Sequence, residues 1–162
     1  MLSKAILYII LITGTAQAFG QASDAELDAM INLLGVQKKE AVAQLVNVSG
    51  NDSVLFWKIY EEYQQENKKT AADRVRLYEG TAMAYRNMTP QIADSLANLY
   101  FSNRIQQENR LQAYYKKFKS AINPTIAFEF YQAEVYLLTM LRAQIMQQIP
   151  TYGQLQLMNK KK

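Results

Sequence analysis

Phe56-Trp57-Lys58-Ile59-Tyr60-Glu61-Glu62-Tyr63 lies near the start of a run from Asp52 to Arg86 that contains no proline. Phe56, Ile59, Tyr60 and Tyr63 recur at helical spacing, and the pattern turns polar through Glu66-Asn67-Lys68-Lys69. A strand over Ser53 to Tyr60 is the competing reading, since valine, phenylalanine, tryptophan and tyrosine favour sheets. No hairpin turn or partner strand follows it, so the run predicts one helix over 52–86. At about 1.5 Å per residue it would span roughly 50 Å, longer than a compact domain of this size is wide. Such a helix must project or curve.

The three prolines sit where helices should begin or stop, because proline inside a helix costs about 3 kcal/mol. Thr89-Pro90 and Asn123-Pro124 each place an N-cap residue before a proline at the first helical position. They predict helices over 90–121, carrying Ile92, Leu96, Leu99, Tyr100, Leu111, Tyr114, Tyr115 and Phe118, and from Pro124 to about Gln148. The latter is the richest in apolar residues, with Ala127, Tyr131, Leu138, Leu141 and Ile145 along one stripe. Ile149-Pro150 should end it, since the residue before proline is pushed out of the α region, leaving 151–162 as a flexible basic tail. The short link at 87–89 sets the two long helices side by side as an antiparallel hairpin.

Upstream, Ser23-Asp24-Ala25-Glu26 has capping-box spacing and precedes the stripe Leu27, Met30, Ile31 and Leu34. Gly35 reads as the residue after a helix end, so a short first helix and a weaker second one over about 37–47 are expected. The fold class is all-α: a long antiparallel helical hairpin with shorter flanking helices, in one domain over 19–150. Trp57 should be at least partly buried beside the last helix, since Phe56 and Trp57 cannot both face water cheaply.

Residues 1–18 read as an export signal. Lys4 is the positive start, Ala5 to Thr15 an apolar run, and Ala16-Gln17-Ala18 the small-x-small cleavage site, so the mature chain should begin at Phe19 in the periplasm. The apolar run is too short for a bilayer span of about 20 residues. With no cysteine there is neither a lipobox nor a disulfide, and stability must come from packing. Cleavage leaves 162 − 18 = 144 residues and a charge of 17 − 14 = +3. Lys160, Lys161 and Lys162 account for that excess, which gives no support to a nucleic-acid partner but leaves weak attraction to anionic lipid or acidic proteins open.

The absence of histidine and cysteine rules out Ser-His-Asp and Cys-His catalysis, thiolate zinc and imidazole metal sites. Six dispersed glycines build no phosphate loop. Glu61 with Glu62, or Glu129 with Glu134, could in principle do acid-base work. Glu61 and Glu62 point apart on a helix, however, and Glu134 is expected to meet a lysine or arginine across the helix pair. Met30, Met83, Met88, Met140, Met146 and Met158 could bind a soft metal, but they are scattered over several elements and read as core filler. No enzyme activity, metal or cofactor is expected.

Most of the eleven tyrosines straddle a thin helical core. Tyr114-Tyr115-Lys116-Lys117-Phe118-Lys119 stands apart, because aromatics interleaved with lysines combine apolar contact with attraction to unfolded or acidic segments. It is the candidate client-binding segment.

Phe56 to Tyr63, Tyr114 to Lys119, Asn123-Pro124 and Phe130-Tyr131-Gln132-Ala133-Glu134 occur in an order and spacing that resembles the Spy/CpxP-like periplasmic helical proteins, in the divergent form common in Bacteroidetes. The resemblance runs from about residue 37 to 148. That family's Leu-Thr-x-x-Gln motif is a helix start; the corresponding Val48-Ser49-Gly50-Asn51-Asp52 and Met88-Thr89-Pro90-Gln91-Ile92 keep the hydroxyl and lack the final glutamine. Metal-sensing relatives use histidine ligands, of which this chain has none. The resemblance implies an envelope-stress protein that binds unfolded or partner proteins without ATP, on a helical surface. A dedicated regulator of a membrane sensor or anti-sigma factor, a structural envelope protein and a glycan hydrolase using two carboxylates are the alternatives. A homodimer is compatible with an exposed hairpin face. Asp52-Ser53-Val54 and Asp94-Ser95-Leu96 also resemble the short Asp-Ser-apolar acceptor for O-glycosylation in Bacteroidetes.

Overall fold

A computed structural model describes residues 24–148 and 151–160. The export segment 1–18, the cleavage point before Phe19, Ser23 of the capping box and the side chains of Leu27, Met30, Ile31 and Leu34 lie outside that description. Five helices follow in order: α1 (Asp24–Leu45), α2 (Gly50–Ala84), α3 (Pro90–Ala121), α4 (Pro124–Gln148) and α5 (Tyr152–Asn159). A single 3-10 turn, Tyr85–Asn87, joins α2 to α3. Among the described residues there is no strand, and no helix is long and apolar enough to cross a membrane.

The proline positions begin α3 and α4 as the sequence predicts. Thr89 Oγ1 accepts from the Ile92 N–H at 3.2 Å, and Asn123 Oδ1 accepts from the Ile126 N–H at 2.9 Å, so each cap satisfies a donor the helix leaves free. At the start of α2 the Ser49 hydroxyl makes no such bond. There Gly50 takes a left-handed φ of 56° instead, a conformation glycine enters without a Cβ clash.

α2 and α3 form the antiparallel hairpin, as their paired positions show: Glu62 with Lys117, Tyr63 with Tyr114, Arg74 with Gln107 and Tyr78 with Tyr100. α4 returns along α3, with the Phe118 and Phe130 rings 4.4 Å apart. α1 runs antiparallel to both α2 and α4, joined by Lys39–Glu61 at 2.5 Å and by Lys38–Glu134 at 2.6 Å, and just past its end Glu129 Oε2 accepts from the Asn47 N–H at 2.8 Å. Four helices therefore make an up-down bundle at one end, and the rest of the hairpin projects beyond the apolar core.

That core is aromatic. Phe56, Tyr60, Tyr63, Tyr114, Phe118 and Phe130 are buried with Val42, Leu111 and Ala127. Each buried side chain of this size contributes about 1.5–3 kcal/mol, and edge-to-face pairs such as Tyr63 with Phe130 at 5.1 Å add about 0.5–1.5 kcal/mol. Toward the turn the filling becomes polar. Arg110 donates to Asn67 Oδ1 at 3.2 Å, Arg74 donates to Gln107 Oε1 at 2.7 Å, and Asn103 donates to the Thr70 carbonyl at 3.3 Å. The polar middle of both helices thus pairs with itself.

Four expectations need correction. Gly35 does not end a helix: α1 continues through it, and the residue serves a close approach in which Gln64 Nε2 donates to its carbonyl at 3.1 Å. The expected tail at 151–162 instead forms α5 over Tyr152–Asn159, started by a capping box between Thr151 and Gln154. α4 buries Ile126, Ala127, Phe130, Ala133, Glu134 and Leu137, so its inward face is rotated from the expected stripe and Tyr131 is exposed. Trp57 is half-buried as expected, with its ring edge-on to Phe56, but the cover over it comes from Lys39 of α1, 5.6 Å from the ring.

Candidate functional site

The segment Tyr114 to Lys119 divides between core and surface. Tyr114 is 5% exposed and Phe118 wholly buried, because with Leu111 they occupy successive inward positions of α3. Tyr114 packs edge-on to Tyr63 at 5.1 Å, and Phe118 sits between Phe56 at 4.8 Å and Phe130 at 4.4 Å. Neither can meet a client, which corrects their assignment to the binding set. Burial, aided by Glu66, holds the Tyr114 hydroxyl above the usual tyrosine range and keeps it neutral.

Lys117 is engaged as well, pairing with Glu62 and lying 5.5 Å from the Tyr114 ring. Its hydrogen bond holds the Glu62 carboxyl below the ordinary value. Lys116 and Lys119 face solvent, and Tyr115 is half-buried at the edge of the core.

Tyr115 opens onto a shallow groove of about 420 Å³ between α3 and α4, lined also by Glu108, Asn109, Gln112, Phe128 and Tyr131. Phe128 is 50% and Tyr131 38% exposed, with rings stacked at 6.5 Å and 22°. Phe101 and Ile105 are exposed further along α3, and Val135, Tyr136 and Met140 along α4. At helical spacing, Phe101, Ile105, Glu108, Gln112 and Tyr115 fall on one side of α3. The arrangement offers apolar contact beside amide and carboxylate groups, suited to holding an extended or helical segment without fixing its sequence. Sequence reading placed Tyr131 in the core and passed over Phe128. The signal was present, because α4 carries apolar residues around its whole circumference, more than one buried face can use.

The candidate carboxylates are all engaged. Glu61 and Glu62 pair with different lysines, Lys39 and Lys117, and so do not converge. Glu129 accepts from the Asn47 backbone. Glu134 is fully buried on α4, where Oε2 accepts from Lys38 Nζ at 2.6 Å and from the Tyr63 hydroxyl at 2.6 Å. Oε1 accepts from the Tyr60 hydroxyl at 3.1 Å. Glu134 thus meets a lysine, as its sequence position suggests, and ties three helices together. Burial and the adjacent Glu134 charge hold both tyrosine hydroxyls well above their ordinary range.

Among the described residues no group of three or more acidic side chains converges as a metal site. Ser53 is half-buried in the first turn of α2, whereas Ser95 is exposed on α3. No family model, curated protein or solved structure matches this chain.

Proposed function

We propose that this chain is a periplasmic chaperone-like or envelope-stress-sensing protein of the Spy/CpxP-like kind, one that binds unfolded or partner proteins without ATP or cofactor. The observation that carries the reading is the α3/α4 groove, lined by half-buried Tyr115 and exposed Phe128 and Tyr131, with Lys116 and Lys119 exposed on the same stretch of α3. An exposed aromatic cluster lowers its contact with water by covering part of an apolar segment, and surface lysines speed encounter with acidic ones. Export rests on residues 1–18, and the order of segments that resembles the family supports the same assignment.

Light scattering of denatured clients, with and without the exported protein, tests this. Equimolar protein should slow aggregation of several clients with no nucleotide present. Phe128→Ser with Tyr131→Ser should remove most of that activity while leaving helix content unchanged, since both side chains are exposed. Lys116→Glu with Lys119→Glu should slow capture, and rising salt should weaken binding without abolishing it. If aggregation is unaffected across clients while crosslinking captures one envelope partner reproducibly, the dedicated-regulator reading replaces this one.

A further inference from the structure

A second recess, of about 460 Å³, lies at the turn end of the hairpin. One wall is α5, where Tyr152, Leu155, Gln156 and Asn159 fall at i, i+3, i+4 and i+7 and so share a face. The other wall is the 3-10 turn, through Tyr85, Arg86 and Asn87, with Met88 just after it. The Tyr85 and Tyr152 rings, each half-buried, meet at 5.6 Å and seat the two walls against each other.

The polar lining is of one kind. Three primary amides, on Asn87, Gln156 and Asn159, stand with one guanidinium, on Arg86. Among the described residues, none of these four side chains makes a hydrogen bond or ion pair within the protein. Arg86 is the only charged residue in 80–93 and 151–159, so no carboxylate in either segment neutralises it. Met88, Leu155 and the two tyrosine rings supply the apolar part of the surface.

We propose that this recess binds an acidic oligosaccharide, a short chain of carboxylate-bearing pyranose rings. Each feature of such a ligand has a counterpart in the lining. A primary amide donates and accepts in one plane, as a pair of neighbouring hydroxyls does. A pyranose ring has a face of C–H groups that can cover a tyrosine ring, and its carboxylate can accept two parallel N–H bonds from Arg86. The volume falls within the range of about 300–1,000 Å³ that holds small ligands. Other anions match less of the surface. The phosphates of a nucleotide carry more charge than one guanidinium offsets. An acidic peptide sets out its backbone donors and acceptors alternately along a strand, a pattern suited to a sheet edge rather than to three separate amides. The inference stands apart from the chaperone reading, whose α3/α4 groove lies roughly 35–40 Å away, the rise of α3 between Pro90 and Tyr115.

NMR titration of the exported protein with trigalacturonate, maltotriose and triglutamate tests it. Trigalacturonate should bind and shift amide signals in 85–88 and 152–159. Maltotriose, which has the hydroxyls and no carboxylate, should bind there at least about tenfold more weakly, and triglutamate should leave those signals in place. Arg86→Gln should bring trigalacturonate down to the level of maltotriose and leave maltotriose unaffected. Asn159→Ala should weaken both saccharides about fivefold. Tyr152→Ala should weaken both as well, but it removes the ring contact that seats α5, so the exposed Asn159 decides the outcome if α5 comes away. Phe128→Ser with Tyr131→Ser should bind trigalacturonate as the native chain does, so the two readings fail separately. Absence of shifts with both saccharides, or shifts that fall outside the recess, overturns the proposal. So does a response to triglutamate as strong as that to trigalacturonate, which would make an acidic peptide the ligand. Equal affinity for the two saccharides would overturn the acidic class of the ligand.

Discussion

Glu134 is held inside the bundle by three donors, and only Lys38 among them brings a compensating charge. Lys38→Met should therefore destabilise the fold by about 3–5 kcal/mol, because it leaves a buried carboxylate unpaired. Adding Glu134→Gln should recover much of that loss, since a neutral amide can accept from one tyrosine hydroxyl through its oxygen, donate to the other through its NH2, and needs no cation. Urea unfolding of the single and double variants measures both values. The same site sets an alkaline limit. Tyr60 and Tyr63 have raised values in the folded state, so they contribute stability that is complete below about pH 10, where unfolded tyrosine titrates. Above that pH the unfolded chain releases protons that the folded chain retains, and stability should fall by about 1.4 kcal/mol per pH unit for each tyrosine. Unfolding midpoints above about pH 10 should show this fall, to which the raised Tyr114 adds its own share, and Tyr60→Phe should lower the slope by about 1.4 kcal/mol per pH unit. At this scale the sequence revealed that Glu134 needed a cation. The two tyrosines above it were not legible, because they depend on how α2 and α4 are offset, and no local pattern records that offset.

Glycine means different things in different helices, and two substitutions separate the meanings. Gly50→Ala should cost about 1–2 kcal/mol, since the left-handed backbone at the start of α2 crowds any Cβ. Gly35→Ala should stabilise by about 0.5–1 kcal/mol. A Cβ there would come 3.3 Å from Gln64 Oε1, the end of a flexible side chain that can yield, and alanine is the better helix former by about 1 kcal/mol. Thermal unfolding of each variant checks the signs. Proline positions made α3 and α4 legible to the residue, because a missing N–H and a fixed φ act locally. Gly35 was misread because a glycine after an apolar stripe commonly marks a helix end, whereas here it sits inside α1 with ordinary helical backbone. α5 escaped notice because Pro150 marks a stop, although Thr151 and Gln154 already had capping-box spacing. The half of the binding segment that is core, Tyr114 and Phe118, could be told from the exposed half only once the phase of α3 was known.

Over the whole molecule, apolar packing thins from the bundle toward the turn, where Tyr78, Thr81 and Tyr100 replace the aromatic cluster. Amide hydrogen exchange should therefore be slowest in Phe56–Tyr63 and Leu111–Phe118 and fastest between Tyr85 and Ile92. Uniform protection along both long helices would refute that gradient. The clasp of α1 on α4 also has a consequence in time. α2 packs chiefly on α3, and α3 on α4, each the next helix along the chain, so these contacts close over short loops and form early. The end of the α1 segment reaches α4 across 82 positions between Asn47, just past α1, and Glu129, a longer closure expected after the rate-limiting step. Lys38 and Glu134 belong to that late contact. Removing it should leave the folding rate near its original value and speed unfolding by nearly the full loss in stability. The lifetime of the assembled bundle, rather than the speed of its assembly, is then what the ion pair beneath α1 controls.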